Sequence, residues 1–233
     1  MKDSLYDICV RHIVPKELEV VIHEPYVPYV PDPWSQILVL AEAQNLSSAS
    51  SADYVKTLRS MTSTERILRL GRGGCVGVYP WDDGSLKLAI ESALGVKTEA
   101  VAVSNAVFWS QEDEAGNNVN PSSVLQERST ALWSELLPIL APNHIVTCGQ
   151  IAHNVIDQVP STAWRGKRTK LRLPSRTAMS RVSSMFDEAD LLRRYPEVSA
   201  VVQVHPDWVE GAYRHNKIFF ACHAVSVAKR ADN

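Results

Sequence analysis

The chain has 233 residues, of which 45% are hydrophobic and 21% charged, and these proportions are enough for one large domain with a substantial core. Its formal net charge of -2 excludes histone-like binding through the whole-molecule field, so any nucleic-acid contact must come from a local basic patch. The four cysteines show no CxxC spacing, and no leader-like segment or apolar run of transmembrane length is present. We expect a single cytoplasmic domain over 1–233, with reduced cysteines, no metal or other cofactor and no membrane partner.

Strand and helix patterns alternate along the chain. Strands are predicted over Ile37 to Leu40, Val101 to Val107 and the residues HIVTCG. Helices are predicted over Tyr54 to Leu70, Ser85 to Leu94, about Ser122 to Leu140 and the residues QIAHNVI. This β-loop-α order predicts an α/β fold with three layers, α/β/α, around a central, mostly parallel sheet.

Three segments lie outside this alternation. Residues 1–34 include the Pro-rich run IHEPYVPYVPDPW and are expected to form an extended segment over the domain. Residues 46–78 are predicted to be a helical insertion. Residues 195–233 form a C-terminal extension that opens with the strand-like run VSAVVQV.

A basic stretch occupies Trp164 to Arg181, in a chain that is otherwise slightly acidic. It reads WRGKRTKLRLPSRTAMSR and contains seven arginines and lysines. Such a concentration can neutralise the phosphates of one nucleic-acid strand, whereas the alternative interpretation is a solvated basic face with no partner.

Four segments, read in order, resemble the motif set of the uracil-DNA glycosylase superfamily. They are ILVLAEAQN, VAVSNAVFW, HIVTCGQIAHNVI and KLRLPSRTAMSRVS, and the resemblance covers about Pro33 to Arg194. No single motif is decisive, but their order and spacing make the set moderately specific. The resemblance implies a uracil-DNA glycosylase-like fold, a monomer and an enzyme that extrudes a nucleotide from DNA to break its glycosidic bond.

The first two motifs supply the expected catalytic and base-reading residues. Glu42 matches the position whose carboxylate would stabilise the oxocarbenium-like sugar and orient water. Asn105 would read the base, because one amide offers a donor and an acceptor side by side and its two orientations match uracil or cytosine edges. The alternative interpretations are a helix-capping or exposed Glu42 and an Asn105 that satisfies backbone groups at a strand end.

Other site residues come from the remaining motifs. Tyr79, with Trp81 close behind, is the position aligned for stacking on the base, and the alternative for either is ordinary core packing. The residues expected to contact DNA are Ser175, Arg176, Met179, Arg181 and Lys170. Met179 would wedge into the base stack, for which simple packing is the alternative interpretation.

Two departures from the uracil pattern affect the substrate. Leu173 stands where many uracil enzymes carry a His that polarises the leaving base; the pair His205-Pro206 is the alternative last motif. Asn45 stands where strict uracil enzymes place a Tyr that closes the pocket against groups on base carbon 5. These departures indicate a pyrimidine enlarged at carbon 5, such as the glucosylated hydroxymethylcytosine of phage DNA.

Three function classes follow from the sequence. The first is a monofunctional DNA glycosylase, acting on a 5-modified pyrimidine in antiviral defence or on uracil and mismatches in repair. The second is a non-catalytic module that binds DNA with a modified base. The third, an α/β enzyme of free nucleotides, is disfavoured by the basic stretch.

Overall fold

The computed structural model describes residues 2–44, 46–69, 83–174, 184–211 and 213–231. The strands are β1 (Ile37–Ala43), β2 (Ala102–Val107), β3 (Gln111–Glu112), β4 (Asn118–Val119), β5 (His144–Cys148) and β6 (Lys167–Leu171). The α-helices are α1 (Lys2–Arg11), α2 (Ala52–Ser60), α3 (Ser63–Leu68), α4 (Ser85–Leu94), α5 (Ser123–Leu140), α6 (Gln150–Asp157), α7 (Glu188–Arg194), α8 (Pro196–Val204) and α9 (Arg214–Ala231). No helix within these ranges is long and apolar enough to cross a membrane.

The central sheet contains four parallel strands in the order β2-β1-β5-β6. In its register, Leu38 lies opposite Ala102 on one side and opposite Ile145 on the other. Every residue of β2 and β5 is buried, which explains why both strands read as continuous apolar or small-residue runs rather than alternating ones. The strands β3 and β4 form a separate antiparallel hairpin.

Helices cover both faces of this sheet. Leu38 and Leu40 belong to a buried cluster with residues of α1, α5 and α6, such as Trp133 of α5. The alternate residues Ile37 and Val39 belong to a second cluster with residues of α4, α7, α8 and α9. Because successive side chains of a strand point to opposite faces, one strand supplies both cores. The predicted three-layer α/β/α fold with a parallel sheet is confirmed.

Three predicted elements were wrong in detail. The strand predicted over Ile37 to Leu40 extends to Ala43, so Glu42 lies within β1 rather than after it. The helix predicted over Tyr54 to Leu70 is two helices, because Thr62 starts α3 with a capping box: its hydroxyl accepts from the Glu65 N–H, and the Glu65 carboxylate accepts from the Thr62 N–H. The strand-like run VSAVVQV lies in α8. Pro196 begins that helix at a position where a missing N–H is tolerated, and Val198 and Val202 are buried at helical spacing.

The amino-terminal segment is also only partly as expected. Residues 1–34 were predicted to be extended, but Lys2–Arg11 form α1, with Leu5, Ile8 and Cys9 buried at helical spacing. The Pro-rich residues 21–34 lie outside helices and strands. They are packed against the domain, since Tyr26 and Val27 are buried and the Val27 N–H donates to the Ile67 carbonyl.

Candidate functional site

The carboxyl ends of β1 and β2 bring Glu42 and Asn105 to the same edge of the sheet. Ala41 is the register partner of Asn105, and Glu42 is the next residue along β1. Neighbouring strands lie about 4.8 Å apart, so the two residues leave the sheet from adjacent positions. This edge is where parallel α/β sheets place their ligands.

Glu42 lies at the amino terminus of α6. Its Oε1 accepts a hydrogen bond of 3.0 Å from the backbone N–H of Ile151, the second residue of that helix. Gly149 makes this approach possible, because a Cβ at position 149 would lie 2.6 Å from the Glu42 Cδ. The negative carboxylate therefore sits beside the positive end of a helix dipole, and the carboxylate caps the helix.

The second carboxylate oxygen of Glu42, Oε2, makes no hydrogen bond to the part of the chain that the structure describes. Glu42 is partly buried, and its charge acts on the Cys148 thiol of the neighbouring strand β5. Burial, and next the charge of Glu42, raise the pKa of the Cys148 thiol to about 12. Cys148 is therefore a buried neutral thiol. Of these two side chains, the Glu42 carboxylate is the one that can react.

Asn105 is buried, with 1% of its surface exposed. Its backbone N–H and its side-chain Nδ2 donate to the phenolic oxygen of Tyr26 at 3.0 and 2.8 Å, and the Ser104 hydroxyl oxygen lies 3.2 Å from the same atom. Among the described residues, the side-chain oxygen Oδ1 has no hydrogen-bond partner. Leaving such an acceptor buried and unpaired costs about 1–3 kcal/mol, which a donating ligand would offset.

A buried polar network joins this amide to the end of β1. Gln44 donates through Nε2 to the Phe108 carbonyl at 2.5 Å and accepts from Nη2 of Arg69 at 3.0 Å. The Arg69 guanidinium lies 5.2 Å from the centroid of the Tyr26 ring, a cation–π contact. Burial lowers the pKa of Arg69, although neighbouring Tyr and Glu groups oppose that effect.

His153 and Leu173 lie at the same edge, beside β5 and β6. The Nε2 of His153 lies 3.2 Å from the Thr147 carbonyl and 3.0 Å from the Leu171 carbonyl. Both neighbours can only accept, so we assign a hydrogen to Nε2 and a donor role to the ring. Leu173 follows Leu171 by two residues and is partly buried, so this predicted last-motif residue leaves the sheet at the carboxyl edge.

The alternative last-motif residue His205 lies elsewhere. Its ring stacks on Trp208, with centroids 3.9 Å apart and planes 4° apart, and its Nε2 is 3.9 Å from a Glu91 carboxylate oxygen. Glu91 accepts from the N–H of Thr98, which lies four residues before the amino end of β2. The structure therefore places His205 at the opposite edge of the sheet from Glu42.

Seven predicted site residues lie outside the described residues: Asn45, Tyr79, Trp81, Ser175, Arg176, Met179 and Arg181. Their expected roles stay predictions. Lys170 is described: it lies on the edge strand β6 and forms an ion pair with Asp157.

The basic stretch is partly neutralised where it is described. Asp157 also pairs with Arg168, at 3.2 Å, and the Arg168 guanidinium lies 5.2 Å from the Trp164 ring. Within the described ranges, no group of three or more His, Cys, Asp or Glu side chains is arranged to hold a metal ion. The stretch therefore carries less free positive charge than its sequence indicates.

No protein-family model matches the chain, and no curated protein matches its sequence. The reasoning about the site therefore depends on its residues. Sequence reasoning missed Tyr26, the buried hydrogen-bond partner of Asn105, and the Ser104 and Arg69 side chains that contact Tyr26. Tyr26 lies 79 positions from Asn105, so no local pattern connects them. The one available signal was a pair of tyrosines within an apolar, Pro-rich run.

Proposed function

We propose that the protein is a monofunctional DNA glycosylase, which hydrolyses the glycosidic bond of a flipped, 5-modified pyrimidine and leaves an abasic site. The observation that carries the proposal is the pair formed by Glu42 and Asn105. A carboxylate and a buried amide leave adjacent strands at one sheet edge, and one oxygen of each has no hydrogen-bond partner among the described residues. The ordered motifs that resemble the uracil-DNA glycosylase superfamily supply the reaction class.

Glu42 acts on the sugar. As the glycosidic bond breaks, positive charge develops on deoxyribose, and a nearby carboxylate stabilises that charge and orients the attacking water. The hydrogen bond from Ile151 to Oε1 fixes the carboxylate, which leaves Oε2 for the water or the sugar. The one lysine in the four motifs is Lys170, which pairs with Asp157 and is proposed as a phosphate contact rather than as a nucleophile, so the proposed reaction stops at the abasic site.

Asn105 binds the base, and its burial keeps water from competing for the amide. Two features of the sequence favour an enlarged base. Leu173 can donate no hydrogen bond to a departing uracil, and Asn45 is smaller than the Tyr that would exclude a carbon-5 substituent. We therefore propose hydroxymethylated or glucosylated cytosine, as in phage DNA, as the substrate class.

The proposed partner is DNA, which the protein binds as a monomer in the cytoplasm. Lys170 is exposed enough to reach a phosphate, with 49% of its side chain accessible. To bind one, its ammonium must contact Asp157 and the phosphate together or give up the ion pair with Asp157. Ser175, Arg176 and Arg181 are the further proposed phosphate contacts, and Met179 is the proposed wedge.

A non-catalytic module that recognises a modified base is the second candidate. The contact between Glu42 and α6 favours it, because a carboxylate that caps a helix has a structural reason to be present without catalysis. The two candidates differ in one product: only the glycosylase generates abasic sites.

The test uses matched duplexes that carry uracil, cytosine, 5-hydroxymethylcytosine or its glucosylated form, with abasic sites scored by alkaline cleavage. Cleavage of the enlarged bases that is lost in Glu42→Gln and kept in Glu99→Gln is the expected result. Glu99 is an exposed carboxylate beside the amino end of β2, so its replacement is a matched control. Cleavage of uracil alone contradicts the substrate class, and binding without cleavage supports the module.

A further inference from the structure

The Arg69 guanidinium contacts no carboxylate of the described residues. Its Nη1 donates to the Arg66 carbonyl and its Nη2 to Gln44 Oε1, both at 3.0 Å. The charge of Glu24 acts on Arg69, but the Glu24 carboxylate is bound by Arg66 at 2.6 and 2.7 Å. Arg69 Nε is buried and has no hydrogen-bond partner among the described residues. A cation in this situation costs free energy that an anionic ligand would offset.

Arg69 lies at the same edge of the sheet as the proposed site. Gln44, to which it donates, follows Glu42 by two residues at the carboxyl end of β1. The guanidinium also lies 5.2 Å from the ring centroid of Tyr26, whose hydroxyl oxygen accepts from Asn105 Nδ2 at 2.8 Å. A positive and a negative side chain, Arg69 and Glu42, therefore lie around the carboxyl ends of β1 and β2, where the buried Asn105 amide also lies.

Hydrolysis of a glycosidic bond separates charge, and this edge offers both signs. Water forms a bond to C1′ of the sugar while the C1′–N1 bond breaks, and a proton of that water passes to the Glu42 carboxylate. The bonding electron pair leaves with the pyrimidine, as an anion delocalised over N1 and O2. The released anion takes a proton from solvent, and Glu42 returns its proton to solvent. Leu173 can offer the departing anion neither a charge nor a hydrogen bond.

We propose that Arg69 is a further catalytic residue, which binds the pyrimidine ring and stabilises the negative charge that the base acquires as it leaves. This inference rests on the proposed function and adds to it a subsite for an anionic pyrimidine. The charge on O2 develops in cytosine-type and uracil-type bases alike, so Arg69 favours the departure of either. The alternative role is a clamp that only holds Gln44 and the Tyr26 ring in place.

The kinetic test varies how easily the base carries negative charge. Matched duplexes carry one 5-hydroxymethylcytosine or one 5-formylcytosine, whose electron-withdrawing formyl group stabilises the departing anion. Single-turnover cleavage is compared between the protein, Arg69→Met and Arg59→Met, a control at an exposed arginine of α2.

The expected effect depends on the base. Arg69→Met should slow cleavage at 5-hydroxymethylcytosine by about 100- to 1000-fold, as loss of one transition-state donor does, and cleavage at 5-formylcytosine by a clearly smaller factor. Arg59→Met should change neither rate. A clamp that only positions its neighbours would slow both bases by the same factor, so equal factors overturn the inference.

Two further variants guard against a trivial loss of folding. Arg69→Gln removes the charge but keeps an amide donor, and it replaces Arg69→Met where urea titration shows that variant to be unfolded. Arg69→Lys keeps the charge without the planar fork. We expect the lysine to restore part of the rate and the weaker dependence on the leaving base. A lysine variant that is folded but as dependent on the leaving base as the uncharged variant overturns the role of the charge.

Binding of free pyrimidines separates this inference from the glycosylase proposal, because no bond is broken. 5-Nitrouracil is an anion at neutral pH, whereas thymine is neutral there. Calorimetric titration should give about a tenfold lower Kd for 5-nitrouracil, a ratio that falls towards one in Arg69→Met and is kept in Arg59→Met. Equal affinities, no binding of either base, or one ratio in all three proteins overturn the inference. An Arg69-dependent ratio without cleavage of any duplex contradicts the glycosylase and leaves the anionic-pyrimidine subsite supported.

Discussion

Replacement of Gly149 by Ala tests whether Glu42 is held where the site requires it. Gly149 has φ 95° and ψ 162°, a backbone conformation almost confined to glycine, so a side chain there costs about 1–3 kcal/mol in strain. The added Cβ would also lie 2.6 and 2.7 Å from Cδ and Cγ of Glu42. The carboxylate must move and lose the Ile151 N–H, a charge-assisted hydrogen bond of about 1.5–3 kcal/mol.

The two contributions predict that Gly149→Ala lowers the free energy of unfolding by about 2.5–6 kcal/mol. Urea denaturation measures this loss, and Gly95→Ala is the control. Gly95 has φ 65°, but a Cβ there meets nothing within 4 Å, so about 1 kcal/mol of backbone cost is expected. If both variants lose the same free energy, the contact between Glu42 and Gly149 does not exist in solution.

Three further outcomes are expected. Thr62→Ala removes the capping box of α3 and lowers the free energy of unfolding by about 1 kcal/mol in urea; an unchanged midpoint contradicts the cap. Burial raises the pKa of Glu24, but hydrogen bonds, chiefly from Arg66, bring it below its ordinary value of 4.5. Its stabilising effect is therefore present above about pH 4.5 and is lost as pH falls through the lower folded pKa; Glu24→Gln should cost about 3 kcal/mol at neutral pH and flatten that acid loss in urea titrations. Lys170→Ala should reduce the slope of log Kd for DNA against log salt by about 0.9, whereas the exposed Lys16→Ala should not, and equal slopes rule out a phosphate contact at Lys170.

The layers of the fold could be predicted from the sequence because each depends on local pattern. β2 and β5 are continuous buried runs, and α4 ends at a glycine with positive φ, so their bounds lie within a residue of expectation. The helical nature of Pro196–Val204 was missed because four valines favour a strand by propensity, while burial of Val198 and Val202 against α4 and its neighbours favours a helix. Tertiary packing decided that element.

The candidate site, like the fold, could be predicted from the sequence only in part. That Glu42 and Asn105 share an edge follows from parallel strands, whose carboxyl ends meet, so the strand pattern is enough to predict it. The contact of Glu42 with the amino terminus of α6 was not predicted, and neither were the Tyr26 and Ser104 hydroxyls beside Asn105. Each depends on side chains from segments far apart in the chain, and hydrogen-bond partners of that kind leave no periodicity in a sequence.

The most direct test of the central claim is the single-turnover rate of glycosidic cleavage in DNA that carries 5-hydroxymethylcytosine, compared between the protein and Glu42→Gln. Glutamine keeps an oxygen that can accept from Ile151, so the helix cap and the fold should survive, and only the charge is removed. We predict a rate lower by about 100- to 1000-fold in the variant, at equal urea stability, because an electrostatic stabiliser of the transition state is lost. An unchanged rate at equal stability would show that Glu42 only caps α6 and would contradict its catalytic role.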